Sequence, residues 1–379
     1  MTGGVHCGII YWFILWQKVA GDMYKERTDR LLALLKAAGA QGALIHKPSN
    51  MRWLSGYTGE GLVLVADGLR AILTDFRYTE QAEQQAPDYT VHMTTAERTA
   101  EKLAAELVGA QGAAVLAFED DEVTVRGMKA LTEAMPGVRF VPVDRRVEML
   151  RERKDEEEIA LVEKACAISC AAFEHMLGVI RPGMTELEIR FALENALYRG
   201  GAEKLAFDTI VATGPNGSLP HAIPGNRVVE KGHMVTMDFG ARYGGYCADI
   251  TRTVAVGSLD DKQRHVYDTV LQAQLRALDA IRPGARCSDV DRIARSFIDE
   301  RGYAGRFGHG LGHAVGLDIH ESPRLSPTCG QVLEAGIVIT NEPGVYLPGQ
   351  CGCRIEDTVL VTPDGCRRLT PATKELIIL

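Results

Sequence analysis

No block of lysine or arginine occurs in this chain, and its formal charge is −8, from 42 basic and 50 acidic residues. The basic footprint of a nucleic-acid binder is therefore missing. Paired cysteine spacings of a zinc ribbon or a disulfide framework are missing as well. The nine cysteines are scattered and read as reduced thiols of a cytoplasmic protein. Cys351-Gly-Cys353 lies at a turn and reads more simply as two incidental thiols than as a metal pair. A membrane span is lacking: the apolar run from Ile9 to Trp16 is far shorter than the about 20 residues a spanning helix needs. That run also lacks preceding positive charge and an A-x-A cleavage pattern, so it does not read as a secretory signal. Met23 stands just before an amphipathic helix. Residues 1–23 are read as an extension, disordered or from a misassigned start.

What remains is 379 residues, 46% hydrophobic and 24% charged, enough for two domains with their own cores. Thr28 to Ala38 reads as a helix capped by Thr28 and ended by Gly39, with Leu31, Leu34, Leu35 and Ala38 on one face. Strands are expected at 43–45, 61–65, 71–74 and 113–118, with helices at 79–85, 97–108 and 123–135. This alternation predicts a sheet flanked by helices. Composition turns sharply charged from Val147 to Glu158, and Asp155 with Glu158 has the form of a capping box opening a long helix. The expected domains are 24–146 and 147–379.

The second domain repeats itself faintly. Ile180-Arg181-Pro182-Gly183 and Ile281-Arg282-Pro283-Gly284 each end a long helix and precede an acidic helix start. Two copies at matching places predict a duplicated α/β unit with pseudo-two-fold symmetry.

Carboxylates carry the chemistry. Asp238 and Asp249 flank a turn at Tyr243-Gly244-Gly245, and Glu342 and Glu356 flank another centred on Gly349. Residues equidistant from a hairpin turn face each other about 5 Å apart. Like charges so placed repel, and an ionised carboxylate in an apolar strand is costly unless paired or metal-bound. One such Asp is explained by an arginine such as Arg242 or Arg252; two facing pairs point to a pair of divalent cations between them. Phe307 to His313 is too glycine-rich for a helical His-x-x-x-His site, but extended backbone places His309 and His313 on one side, with His320 following. Four carboxylates and one imidazole form a hard, oxygen-rich set suited to Mn²⁺, with Co²⁺, Fe²⁺ or Zn²⁺ as alternatives. Arg354, two residues before Glu356, shares its face on a strand. It is placed to orient that carboxylate or hold a substrate carboxylate.

The passages MDFGARYGGYCADITRT (237–253), HGLGHAVGLDIHE (309–321), NEPGVYLPG (341–349) and RIEDTVLVT (354–362) make the chain resemble the proline-specific peptidases of the pita-bread superfamily. That superfamily includes aminopeptidase P, prolidase, methionine aminopeptidase and creatinase. The likeness covers about residues 24–379. PSNMRWLSGYTGEG (48–61) and TDFRYTEQA (74–82) are similar to the N-terminal domain of the branch that includes prolidase. The resemblance implies an α+β protein: a smaller creatinase-type α/β domain preceding a pita-bread domain built of the duplicated α/β unit. It implies Asp238, Asp249, His313, Glu342 and Glu356 as metal ligands, with Asp249 and Glu356 bridging and Glu342 also the general base. It makes His221, His309 and His320 substrate-binding histidines and Arg354 the arginine behind the ligands. Asn341 and Cys353 depart mildly from the pattern, and neither removes a ligand. The implied activity is metal-assisted hydrolysis of Xaa-Pro bonds at peptide N-termini. PHAIPGNR (220–227) and the short N-terminal domain favour an aminopeptidase over a dipeptidase. Creatinase works without metals and peptide-binding relatives lose ligands, so the intact set favours a peptidase. The expected partners are a peptide with proline second and, as a homodimer, a second copy.

Overall fold

The computed structural model describes residues 23–379. The expectation for the N-terminal extension lies outside them. Among the described residues no helix is long and apolar enough to cross a membrane. The chain divides into two compact units, the division falling between Arg151 and Glu152.

In the first unit, helix α1 spans 23–37. Thr28 is not its cap: the residue lies inside the helix, and its hydroxyl donates to the Tyr24 carbonyl at 2.9 Å. Such back-bonding is how a threonine is accommodated mid-helix. Leu31 and Leu35 are buried, but Leu34 points outward. The elements that follow are β1 (Gly42–Ile45), α2 (Pro48–Ser55), β2 (Leu62–Ala66), β3 (Leu69–Thr74), α3 (Thr79–Gln85) and β4 (Thr90–Met93). After them come α4 (Ala100–Gln111), β5 (Val115–Phe118), α5 (Val125–Ala134), β6 (Arg139–Pro142) and α6 (Arg146–Arg151). The strands form one sheet in the order β4-β3-β2-β1-β5-β6. Sequence reading missed β4 and β6 because they are short, half-exposed edge strands with no apolar run to mark them.

The second unit opens on α7 (Glu156–Leu177), where Asp155 and Glu158 form the expected reciprocal capping box. The same device starts α8 (Glu186–Arg199) through Thr185 and Glu188. Short strand β7 (Lys204–Leu205) leads to β8 (Ile210–Thr213), β9 (His233–Phe239), β10 (Ala241–Tyr243), β11 (Tyr246–Cys247) and β12 (Ile250–Val256). Two further helices, α9 (Asp261–Ala280) and α10 (Cys287–Ile298), precede β13 (Gly312–Ala314), β14 (Glu321–Leu325) and β15 (Val338–Asn341). The chain closes with β16 (Gly344–Leu347), β17 (Cys351–Arg354), β18 (Asp357–Thr362) and β19 (Gly365–Arg368).

The duplication is visible in the backbone. Gly183 N–H donates to the Val229 carbonyl (2.9 Å) while Val229 N–H donates to Met184 (2.8 Å). In the second half Gly284 N–H donates to Leu333 (2.9 Å) while Leu333 N–H donates to Ala285 (2.9 Å). Each Arg-Pro-Gly turn is thus tied by the same reciprocal pair to the segment that follows it. One half centres on sheet β12-β9-β8 and the other on β14-β13-β15-β18-β19. Separate apolar clusters form over α7 and α8 and over α9 and α10.

Candidate metal centre

The two carboxylate hairpins behave differently. Gly244 and Gly245 both have positive φ, 55° and 82°, as the two central residues of a type I′ hairpin turn require. The turn therefore centres between these glycines, one residue later than expected. Tyr243 pairs with Tyr246 and Asp238 with Thr251. Asp238 and Asp249 are consequently diagonal neighbours rather than a facing pair. They still share a face, because moving one partner by two residues preserves side-chain parity. In the other hairpin the register centres on Gly349, with Gly344 opposite Arg354 and Asn341 opposite Asp357. Pro343 has no N–H to offer, and the ladder breaks there. Glu342 N–H instead donates to the Leu311 carbonyl (2.8 Å) and Glu356 N–H to that of Thr251 (3.1 Å). Both glutamates are thereby tied to the segments that carry the other candidate ligands. Gly312 makes room for this convergence, since a Cβ there would sit 2.0 Å from the Thr340 carbonyl oxygen.

A cavity of about 480 Å³ results, and its walls include Asp238, Asp249, His313, Glu342 and Glu356. Carboxylate oxygens of Asp238, Asp249 and Glu356 lie within 4.8 Å of one another. His313 Nε2 is 3.5 Å from Asp249 Oδ2 and 3.3 Å from Glu342 Oε1. His221, His309, His320 and Arg354 line the same cavity.

The donors fit divalent cations on three counts. Asp238 Oδ1 and Glu356 Oε1 are buried with no hydrogen-bond partner among the described residues, a cost normally avoided. The His313 Nδ1–H donates to the Ala314 carbonyl (3.2 Å), so Nε2 is the nitrogen turned toward two carboxylates. A proton or a metal cation must lie between them to make that contact attractive. Burial and the charges of Glu356 and Asp238 push Asp249 well above the usual carboxylate range. Glu356 is likewise pushed up, by burial and by Glu342 and Asp238. Burial also raises Asp238, against the pull of Arg354. Glu342 goes the other way: burial opposes ionisation, but the hydrogen bond and charge of His313 hold it at about 2.

Arg354 is buried. Nη2 donates to Asp238, Nε to the Thr251 hydroxyl (3.1 Å), and Nη1 to Tyr346 Oη (2.9 Å) and the Pro220 carbonyl (3.3 Å). Of its two expected uses, orienting carboxylates is the one seen. The Thr251 hydroxyl donates to Glu356 Oε2 (2.6 Å), and that of Thr340 donates to Glu342 Oε1 (3.0 Å). His309 donates Nδ1–H to the Gly310 carbonyl (2.8 Å), and its Nε2 accepts Tyr346 O–H (2.8 Å). Burial lowers the His309 pKa and raises that of Tyr346 to about 12, so both stay neutral. His320 is exposed at the cavity wall and packs edge-on against His313 at 4.5 Å. Partial burial of its ring, then the charge of His313, lowers its pKa.

Sequence reading missed Thr251, Thr340 and Tyr346. The strand period offered a signal for the first two, which stand two residues from Asp249 and Glu342. Glu186 was missed too. Buried on α8, it accepts N–H groups of Thr213 (2.8 Å) and Gly225 (3.0 Å), pinning the loop that carries His221. Arg252, weighed as a partner for the aspartates of the centre, pairs instead with Asp357 at 2.8 Å. Cys351 and Cys353 are buried in the apolar core, and burial lifts the Cys353 thiol to about 12.

Comparison with known proteins follows the same lines. Residues 160–363 match the family model of metallopeptidase family M24, and residues 27–153 match that of the creatinase/prolidase N-terminal domain. An Xaa-Pro dipeptidase of Pyrococcus furiosus is 38% identical over 358 residues, covering 93% of this chain and 100% of that one. The solved structure of an Xaa-Pro dipeptidase from Bacillus anthracis superposes with a TM-score of 0.91 at 41% identity, covering 94% of this chain and 100% of that one. An X-Pro aminopeptidase from Thermotoga maritima gives a TM-score of 0.85 at 37% identity, covering 90% and 98%.

Proposed function

The chain belongs to metallopeptidase family M24, with a creatinase-type N-terminal domain ahead of a pita-bread unit, and on that footing we propose that it is an Xaa-Pro dipeptidase. Asp238, Asp249, His313, Glu342 and Glu356 would hold two divalent cations, manganese first among them, which supply carbonyl polarisation and an acidified water when bound. Glu342, held ionised at about 2, accepts the water's proton and delivers it to the leaving proline nitrogen. Both ring nitrogens of His309 are committed within the protein, so its part is to wall the substrate site. His320 is the histidine left to donate toward the developing oxyanion. His221 lines the opposite loop. A homodimer in the cytoplasm goes with this reading.

Arg324 favours the dipeptidase over the aminopeptidase reading. It is an exposed cation in the cavity wall and has no ion pair among the described residues. The free carboxylate of a substrate ending in proline supplies the missing partner. An Xaa-Pro-Yaa chain offers a neutral amide at that point and would have to run on past the guanidinium. A charge-assisted hydrogen bond contributes about 1.5–3 kcal/mol. Arg324→Ala is therefore expected to raise KM for an Xaa-Pro dipeptide roughly tenfold to a hundredfold, and the wild-type protein should cleave Xaa-Pro far better than Xaa-Pro-Yaa. Equal or faster cleavage of the tripeptide would establish the aminopeptidase reading instead.

A further inference from the structure

Lys154 belongs to the charged run that joins the two units, and it is the residue of that run least suited to its place. Its side chain has 0% exposure, whereas the neighbouring Arg153 side chain is 65% exposed. A lysine withdrawn from water is costly unless its charge is matched. The match is Glu321, with Nζ to Oε2 at 2.8 Å and a carboxylate itself only 9% exposed. Glu321 immediately follows His320. We propose that Lys154 is a positioning residue for His320, acting through Glu321 on the loop between β13 and β14.

The tie is rigid at both ends. On one side Lys154 N–H donates to the Gly336 carbonyl (2.9 Å), and Arg153 bridges to Ile337, so the lysine is fixed to the backbone leading into β15. On the other side Glu321 uses its second oxygen to accept the Asp318 N–H (3.1 Å), closing the turn that contains His320. The carboxylate also lies against Gly316, where an added Cβ would come within 2.6 Å of Glu321 Oε2. Gly316 in turn accepts Cys247 N–H (2.8 Å), and Arg242 donates to the Leu317 carbonyl (3.1 Å). The loop from Gly316 to Glu321 is thus held at its start by contacts to Cys247 and Arg242, and at its end by the pairing of Glu321 with Ala314 across the β13–β14 ladder and by the buried ion pair. The ion pair fixes the side chain next to His320. The imidazole is left with its edge-on contact to His313 as a local guide, which fixes a distance but not a direction. Without Lys154 the glutamate would lose its counter-charge, seek water and carry His320 with it.

A displacement of about 1 Å in a group aligned on the reacting atoms can cost roughly a hundredfold in rate. The inference rests on the assignment of His320 to substrate, and a double-mutant cycle separates the two. Lys154→Met is expected to lower kcat ten- to a hundredfold on an Xaa-Pro dipeptide, with Lys154→Arg recovering part of the loss. Mn²⁺ affinity by calorimetry should not change, because the lysine holds none of the five proposed ligands. In a His320→Ala background, Lys154→Met should cost nothing further. If Lys154→Met alone folds poorly, Lys154→Met with Glu321→Gln removes both charges and restores stability while leaving the tie broken, and should show the same kcat loss. Full activity of His320→Ala would overturn the histidine's assignment and this inference with it. An active-site effect of His320→Ala with an undiminished Lys154→Met penalty on top of it would overturn the positioning role alone.

Discussion

Asp249→Asn and Glu356→Gln are each expected to lower turnover by three orders of magnitude or more while leaving the fold in place. The carboxylates of Asp249, Glu356 and Asp238 converge within 4.8 Å, and Asp249 and Glu356 would each help to hold the proposed cations. A cation's stabilisation of developing charge amounts to several kcal/mol, and about 4 kcal/mol corresponds to roughly a thousandfold in rate. Stability should move little or even rise without metal. Each substitution keeps the side chain's shape and removes a negative charge from a site where burial and like charges already oppose ionisation. Steady-state kinetics on an Xaa-Pro dipeptide, beside thermal unfolding of the same preparations, tests both halves. Near-normal turnover in either variant would contradict the assignment.

Asp357→Ala is expected to do the reverse, destabilising the catalytic unit by about 3–5 kcal/mol, the usual cost of breaking a buried ion pair from one side. Asp357 is fully buried and accepts from Arg252 (2.8 Å), Lys374 (2.7 Å), Gln274 (2.9 Å) and Thr370 (3.1 Å). Its removal would strand two buried cations. Arg252 also donates to the main-chain carbonyls of Thr251, Glu356 and Ala372, so the loosening would reach the back of the proposed metal centre. The surface pair Arg367–Glu163, with side chains 51% and 41% exposed, is the control: Glu163→Ala should cost under about 1 kcal/mol. Denaturant titration compares them, and equal losses would refute the argument.

How far these features could be read beforehand depended on whether they are local. The helix starts at Asp155 and the Arg-Pro-Gly repeats are local patterns, and the structure realises them as capping and reciprocal backbone pairing. The carboxylates were legible because hairpin parity survives an error of two in the register. The same error misplaced the partner of Asp238, which turn chemistry at Gly244-Gly245 would have corrected. The preference for an aminopeptidase rested on the short N-terminal domain and a loop sequence, and could not weigh Arg324, whose meaning lies in having no ion-pair partner among the described residues. Lys154 was hidden for a similar reason. In a run of charged residues nothing local marks the one that folds inward, since its partner lies 167 positions away. Thr28 erred because a threonine before an apolar run looks like a cap whether or not the helix begins earlier.

The central claim is a two-cation centre held by Asp238, Asp249, His313, Glu342 and Glu356. Diffraction at the manganese absorption edge, from crystals grown with Mn²⁺, tests it most directly. Two anomalous peaks about 3.5–4 Å apart, enclosed by those five side chains, are the result the account predicts. No peak among them, or manganese bound only elsewhere on the chain, would contradict it.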